Sequence, residues 1–340
     1  MKTRIVIGVS LIVVILAMAN LLPIQAQKPI SQPAHTWPQL QMQPPILDAG
    51  ARRNPLKIAL LHWYLADTAT VFSVGSQPYG LCFDGANIWT ANYADNTVSK
   101  VQANTGQVLG TFKVGGQPFG AIFDGANLWA SNEADNTVTK LRASDGKNLG
   151  TFAAGTFPGW MTFDGQNIWV PNSPSSGPGS VTKLRALDGK NLGSFTVGDN
   201  PIAAAFDGNN VWVTNGGTNT VTKLRASDGT VVGTFTVGNG PLGIAFDGAN
   251  MWVVSRPDGT VTKLRASDGK VMGIFQVPDG PYGIAFDGTY MWLSGDLYIR
   301  VLRASDGFPV WYQQVQTSGV AFDGAYVWIA QTNANALLKF

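Results

Sequence analysis

Short apolar runs alternate along most of this chain with clusters of Gly, Asp, Asn and Ser, and one stretch, residues 243–278, shows the pattern in full. Residues 243–246 (Gly-Ile-Ala-Phe) form an apolar run closed by Asp247-Gly248, which predicts a buried strand. Asp247-Gly248-Ala249-Asn250 reads as a tight turn, because Gly and Asn adopt φ > 0 and Asp accepts bonds from nearby backbone N–H groups. A second apolar run covers 251–254, and residues 260–265 alternate polar and apolar as a half-exposed third strand. After the turn Ser267-Asp268-Gly269, residues 271–277 supply a fourth. Four antiparallel strands in about forty residues make one blade of a β-propeller.

The unit recurs. Phe-Asp-Gly stands at Phe83, Phe123, Phe163, Phe206, Phe246, Phe286 and Phe322, each followed five residues after the Asp by a Trp: Trp89, Trp129, Trp169, Trp212, Trp252, Trp292 and Trp328. The last unit ends at Phe340 directly after its third strand, while Val71-Phe72-Ser73-Val74-Gly75 stands before the first unit and matches the outer-strand pattern of Thr111-Phe112-Lys113-Val114-Gly115. The two ends together complete one blade, which leaves no open sheet edge at the chain termini. The predicted fold is therefore all-β: a closed seven-bladed propeller over residues 68–340.

Composition agrees, with 40 Gly and 19 Pro for many turns and 45% apolar residues for a large core. A net charge of +2, with Lys140/Arg142, Lys183/Arg185, Lys223/Arg225 and Lys263/Arg265 at equivalent third-strand places, reads as a solvated strand face and not as a nucleic-acid surface. At the N-terminus, Lys2 and Arg4 precede an apolar run over 5–16 and an Ala17-Met18-Ala19 cleavage pattern. Residues 1–26 are read as a signal peptide cut after Ala19 or Ala26, which places the protein outside the cytoplasm, periplasmic or secreted. The alternative is an uncleaved membrane anchor, since apolar character continues to Leu22. Residues 27–53 read as a Gln- and Pro-rich tether, and 54–67 as a short helix opened by Asn54-Pro55. The single cysteine, Cys82, falls in a first strand and reads as a small buried hydrophobe.

The units Ile88-Trp89-Thr90-Ala91-Asn92, Ile168-Trp169-Val170-Pro171-Asn172 and Val211-Trp212-Val213-Thr214-Asn215 resemble the Tyr-Val-Thr-Asn (YVTN) propeller repeat. They are also similar to NHL-type repeats and to the virginiamycin B lyase-like propellers, across all seven blades. No repeat Trp is followed by Asp, which separates them from WD40 arrays. The resemblance implies a propeller fold; for the lyases it also implies propeller histidines, a glutamate and magnesium. Here the histidines are His35 and His62, both outside the blades, and the one glutamate is Glu133, so that machinery has no positions to map onto. No catalytic residue, cofactor or metal site is expected.

Candidate binding residues come from departures between copies of the repeat. Three residues after the Trp stand Asn92, Asn132, Asn172 and Asn215, an amide set that suits turn chemistry, with each Asn bonding its own loop backbone, better than it suits a ligand. One residue later the blades vary, with Tyr93, Glu133, Arg256 and Asp296 among them. The Pro-x-Gly connection near the axis carries Tyr79, Phe119 and Tyr282, and blade three puts Trp160 at its Gly position. These groups would make a mixed aromatic and polar surface for a protein, peptide, glycan or small molecule. The expected function is a monomeric, exported, non-catalytic binding or scaffold module. The alternatives are a secreted lyase or hydrolase and a structural cell-envelope protein.

Overall fold

A computed structural model describes residues 69–340. The predicted signal peptide, tether and 54–67 helix lie outside the described residues. The described chain forms seven four-stranded antiparallel sheets. Their innermost strands touch in succession, so the sheets stand as blades around one axis. Blade five is typical, with strands Pro241–Phe246, Asn250–Ser255, Thr260–Arg265 and Val271–Gln276 running outward in chain order. Blade seven takes Val320–Phe322, Val327–Gln331 and Ala336–Lys339 from the C-terminus and Thr70–Ser73 from the front of the propeller. The register is Thr70↔Lys339 through Ser73↔Ala336, the closure that the orphan outer strand predicts.

The Phe-Asp-Gly turn is a small machine for placing the Trp. In blade one Asp84 Oδ1 accepts the backbone N–H groups of Ala86 at 2.9 Å and Asn87 at 2.7 Å, while Oδ2 accepts the Trp89 indole N–H at 2.7 Å. Gly85 sits at φ +96°, which a side chain would strain. The indole bond to the turn Asp recurs in every blade. Burial raises the carboxyl pKa of Asp84, Asp207 and Asp247, but the bonds each carboxylate accepts outweigh it and the net shift is downward. Each indole then packs against an outer-strand aromatic, such as Phe112 under Trp89 at 5.6 Å, and fills the space between its own blade and the next.

The third-strand lysines are not solvated, and this corrects the sequence reading. Lys140, Lys183 and Lys223 are buried. Lys223 Nζ lies 4.9 Å from the Trp212 ring centroid and donates to the Ala266 carbonyl of the following blade at 2.7 Å. The same staple runs from Lys339 of blade seven to the Ala103 carbonyl of blade one at 2.7 Å, so it also crosses the ring closure. The accompanying arginines reach solvent as predicted: Arg142 and Arg225 are exposed, Arg185 and Arg265 partly exposed, and each pairs with the Asp three residues on.

The amide set is likewise structural. Asn92, Asn132, Asn172 and Asn215 are buried. In blade two Asn132 Nδ2 donates to Thr137 and Thr139 at 3.0 and 2.9 Å, and its Oδ1 accepts the Gly115 N–H at 3.1 Å. These bonds take the asparagines out of the accessible surface. Blade five has Ser255 at this place, and there the hydroxyls of Ser255, Thr260 and Thr262 are buried without partners. Ser255→Asn is therefore expected to stabilise the protein by about 1 kcal/mol, read as a higher urea midpoint at unchanged slope. A lowered midpoint would show that the slot beside Gly238 does not admit the amide.

Candidate ligand-binding face

On the face opposite the Asp-Gly turns, the loop after each second strand meets the connection from each outer strand to the next inner strand. The residue before the connection's proline has positive φ in six blades, as at Gln77 (53°), Gln117 (52°) and Asn200 (52°). This sharp entry leaves the next side chain at the mouth of the axis. There Tyr79 and Phe119 meet with ring centroids 5.3 Å apart.

Blade three departs from the pattern, and its departure shapes the site. It reads Pro158-Gly159-Trp160. Gly159 approaches blade four so closely that a Cβ would lie 2.1 Å from the Ile202 carbonyl oxygen. Trp160 N–H donates to that carbonyl at 2.9 Å, and Ala204 N–H donates to the Trp160 carbonyl at 3.0 Å. The first strand of blade three thereby bridges to blade four in parallel, and its pairing within its own blade is reduced to Thr162–Phe163 and the isolated Pro158↔Asn172 bridge. The indole stacks on Phe119 of blade two at 5.0 Å and meets Tyr282 of blade six edge-on at 5.2 Å, so it spans the axis. Behind it lies a channel of about 200 Å³, lined by inner-strand residues of all seven blades with Trp160 at the end.

The polar groups stand around this aromatic plate. Tyr93 meets Tyr79 at 5.4 Å, and its hydroxyl donates to the Glu133 carboxylate. Burial pushes the Glu133 carboxyl above its ordinary range, and the bond from Tyr93 offsets part of that rise. Burial also raises the Tyr79 hydroxyl; the nearby Glu133 carboxylate adds to the effect and Arg256 opposes it. Arg256 donates from Nε and Nη2 to Asp296 at 2.8 and 2.7 Å, with its guanidinium carbon 5.9 Å from the Tyr282 ring centroid. Tyr79, Phe119, Trp160, Tyr282, Glu133, Arg256 and Asp296 are all partly exposed. The structure thus brings together the seven residues predicted from departures and separates them from the four asparagines. Tyr93 belongs to the same cluster. Its signal, variation at the position after Asn92, was present in the repeat.

A larger depression of about 630 Å³ lies on the other face between blades two and three. Its charged groups are occupied: Lys140 and Lys183 donate to backbone carbonyls, and Arg185 pairs with Asp188 at 2.5 Å. The axial face, with a carboxylate and several rings left partly open, is the better candidate. Cys82 is buried, and burial raises its thiol pKa, which leaves it unreactive. Among the described residues no three His, Cys, Asp or Glu side chains cluster as a metal centre requires, and no helix is long and apolar enough to cross a membrane.

No protein-family model and no curated protein sequence matches this chain. Solved structures do. A streptogramin B lyase superposes at TM-score 0.68 and 19% identity, covering 80% of this chain and 96% of the lyase. Hydrazine synthase of Kuenenia stuttgartiensis superposes at 0.68 and 17%, covering 79% and 96%. U3-55K superposes at 0.70 and 12%, covering 81% and 98%. Such low identities speak to architecture alone. The chain is a seven-bladed β-propeller of the kind that streptogramin B lyase also adopts.

Proposed function

We propose that this propeller is a non-catalytic binding module that seats its ligand on the axial aromatic face and works outside the cytoplasm. One observation carries the reading: the departures from the repeat, made in blades one, two, three, five and six, converge on a single partly exposed surface. Structural demands of the repeat do not explain them, since other blades manage with Gly or Ser at the places of Trp160, Glu133, Arg256 and Asp296, and with Ile202 or Leu242 at the places of the other rings. Export is supported by the basic start, apolar run and Ala17-Met18-Ala19 pattern at the N-terminus.

A thermal-shift screen of the mature protein against sugars, peptides, amines and metals, with and without chelator, tests the reading. Arg256→Ser and Trp160→Gly, which restores the repeat's own residue, are each expected to weaken the selected ligand about fivefold or more, roughly 1 kcal/mol. Arg256→Ser is expected to melt within a few degrees of the parent. Normal binding by both variants, with loss on altering the Asp-Gly turn face, would refute the assignment.

A second reading, a secreted lyase, has the fold likeness to streptogramin B lyase in its favour. With no histidine among residues 69–340 and one glutamate, the expected outcome is no turnover of a streptogramin. Turnover that vanishes with EDTA would decide for the enzyme.

A further inference from the structure

We propose that the axial face recognises an organic cation, a quaternary or alkylated ammonium, held against the rings of Tyr79, Phe119, Trp160 and Tyr282 with Glu133 as its counter-charge. The inference names a ligand class for the site proposed above and rests on that reading.

Glu133 is the first reason. It is half-buried, it accepts a hydrogen bond from the Tyr93 hydroxyl, and no Lys or Arg among the described residues forms an ion pair with it. A carboxylate withdrawn from water without a cation is unfavourable, and a bound cation would relieve that penalty. The second reason is the charge of the whole face. Its two arginines are engaged, Arg256 with Asp296 at 2.7 Å and Arg300 with Asp279 at 2.6 Å. Asp95, Asp135 and Asp258 accept only backbone N–H groups, each at 2.6 Å, and none forms an ion pair. Lys113 ends an outer strand, exposed and opposite Thr97. An anionic ligand would meet a net negative field; a cation would be drawn in.

The third reason is the plate itself. Aromatic rings present negative faces to a cation, and the attraction grows as water is removed. A quaternary ammonium suits such a surface, because its methyl groups pack on rings and it needs no hydrogen-bond acceptor for each proton. The chain already places one cation there, the Arg256 guanidinium over Tyr282 at 5.9 Å.

Isothermal titration of the full chain with choline tests the assignment, beside the neutral isostere in which tert-butyl replaces trimethylammonium. Choline is expected to bind, with the isostere on the order of tenfold weaker or worse. Glu133→Gln should weaken choline by a similar factor and leave the isostere unchanged, while Trp160→Gly should weaken both. A merely structural Glu133 would move the two compounds together. Because Glu133→Gln removes a half-buried charge and keeps a carbonyl acceptor for Tyr93, the variant is expected to fold, checked by its melting curve. Absence of choline binding, equal binding of the isostere, or full choline affinity in Glu133→Gln would each overturn the cation assignment. A neutral saccharide that binds and is lost in Trp160→Gly would overturn it too, yet leave the binding-face reading standing. That reading fails separately, if no ligand of the screen responds to changes on this face.

Discussion

Removal of residues 1–74 is expected to abolish cooperative unfolding and to make the remaining chain aggregate. The reason lies in blade seven, whose outer strand is Thr70–Ser73. Without it, Ala336–Lys339 loses its partner along the whole register from Thr70↔Lys339 to Ser73↔Ala336, together with the Val74 N–H bond to the Asn335 carbonyl at 2.9 Å. Ala336–Lys339 stays paired to Val327–Gln331 on its inner side but presents an open outer edge, and such an edge is a template for other chains. The loss reaches the core as well, because Phe72 packs on Trp328 at 5.4 Å and on the cluster between blades seven and one. Size-exclusion chromatography and denaturant unfolding of a chain starting at Gly75 provide the measurement. A monomer with an unchanged unfolding midpoint would show that closure does not depend on this strand.

Trp212→Ala is expected to destabilise the protein by about 3–5 kcal/mol. Trp212 is fully buried in the cluster between blades four and five, with its ring 5.3 Å from Phe235. Truncation leaves a large cavity among Val221, Ile244 and Met251, which the close approach of inner strands keeps from collapsing. It also strips Asp207 of the indole N–H it accepts at 2.7 Å and removes the ring beneath Lys223. Equilibrium unfolding in urea measures the effect. A change below about 1 kcal/mol would mean that the repeat Trp is dispensable as a wedge between blades.

The blade was legible because its cues are local. The runs predicted at 243–246, 251–254, 260–265 and 271–277 appear as Pro241–Phe246, Asn250–Ser255, Thr260–Arg265 and Val271–Gln276. Turn chemistry and period-two alternation act over a few residues, so they leave their mark in the order of residues. The candidate site was legible for another reason. Side chains that a repeat does not require stand out against their own copies, which is how Trp160, Glu133, Arg256 and Asp296 were found. Tyr93 was visible in the same way, but its role depends on a neighbour from blade two, Glu133, to which its hydroxyl donates.

Three features escaped, two through contacts between blades and one through partners on the neighbouring strand of its own blade. Lys140, Lys183 and Lys223 alternate with apolar residues as exposed strand positions do, yet the following blade covers them and supplies a carbonyl for each ammonium. Asn132 looked like a loop amide, but its partners Thr137 and Thr139 lie on the adjacent strand of the same buried layer. The step in blade three, where Gly159 and Trp160 bond to Ile202 and Ala204 of blade four, leaves no periodic trace at all.

The amino-acid sequence by itself determined the blade, the number of blades and the strand that closes the ring, because each depends on turns and alternation within about forty residues. Only the tertiary structure decided that Trp160 reaches across the axis to Phe119 and Tyr282, that the lysines are buried staples, and that Glu133 has no cationic partner among the described residues. Those outcomes depend on distances between side chains from different blades, which ring closure sets and no local pattern encodes.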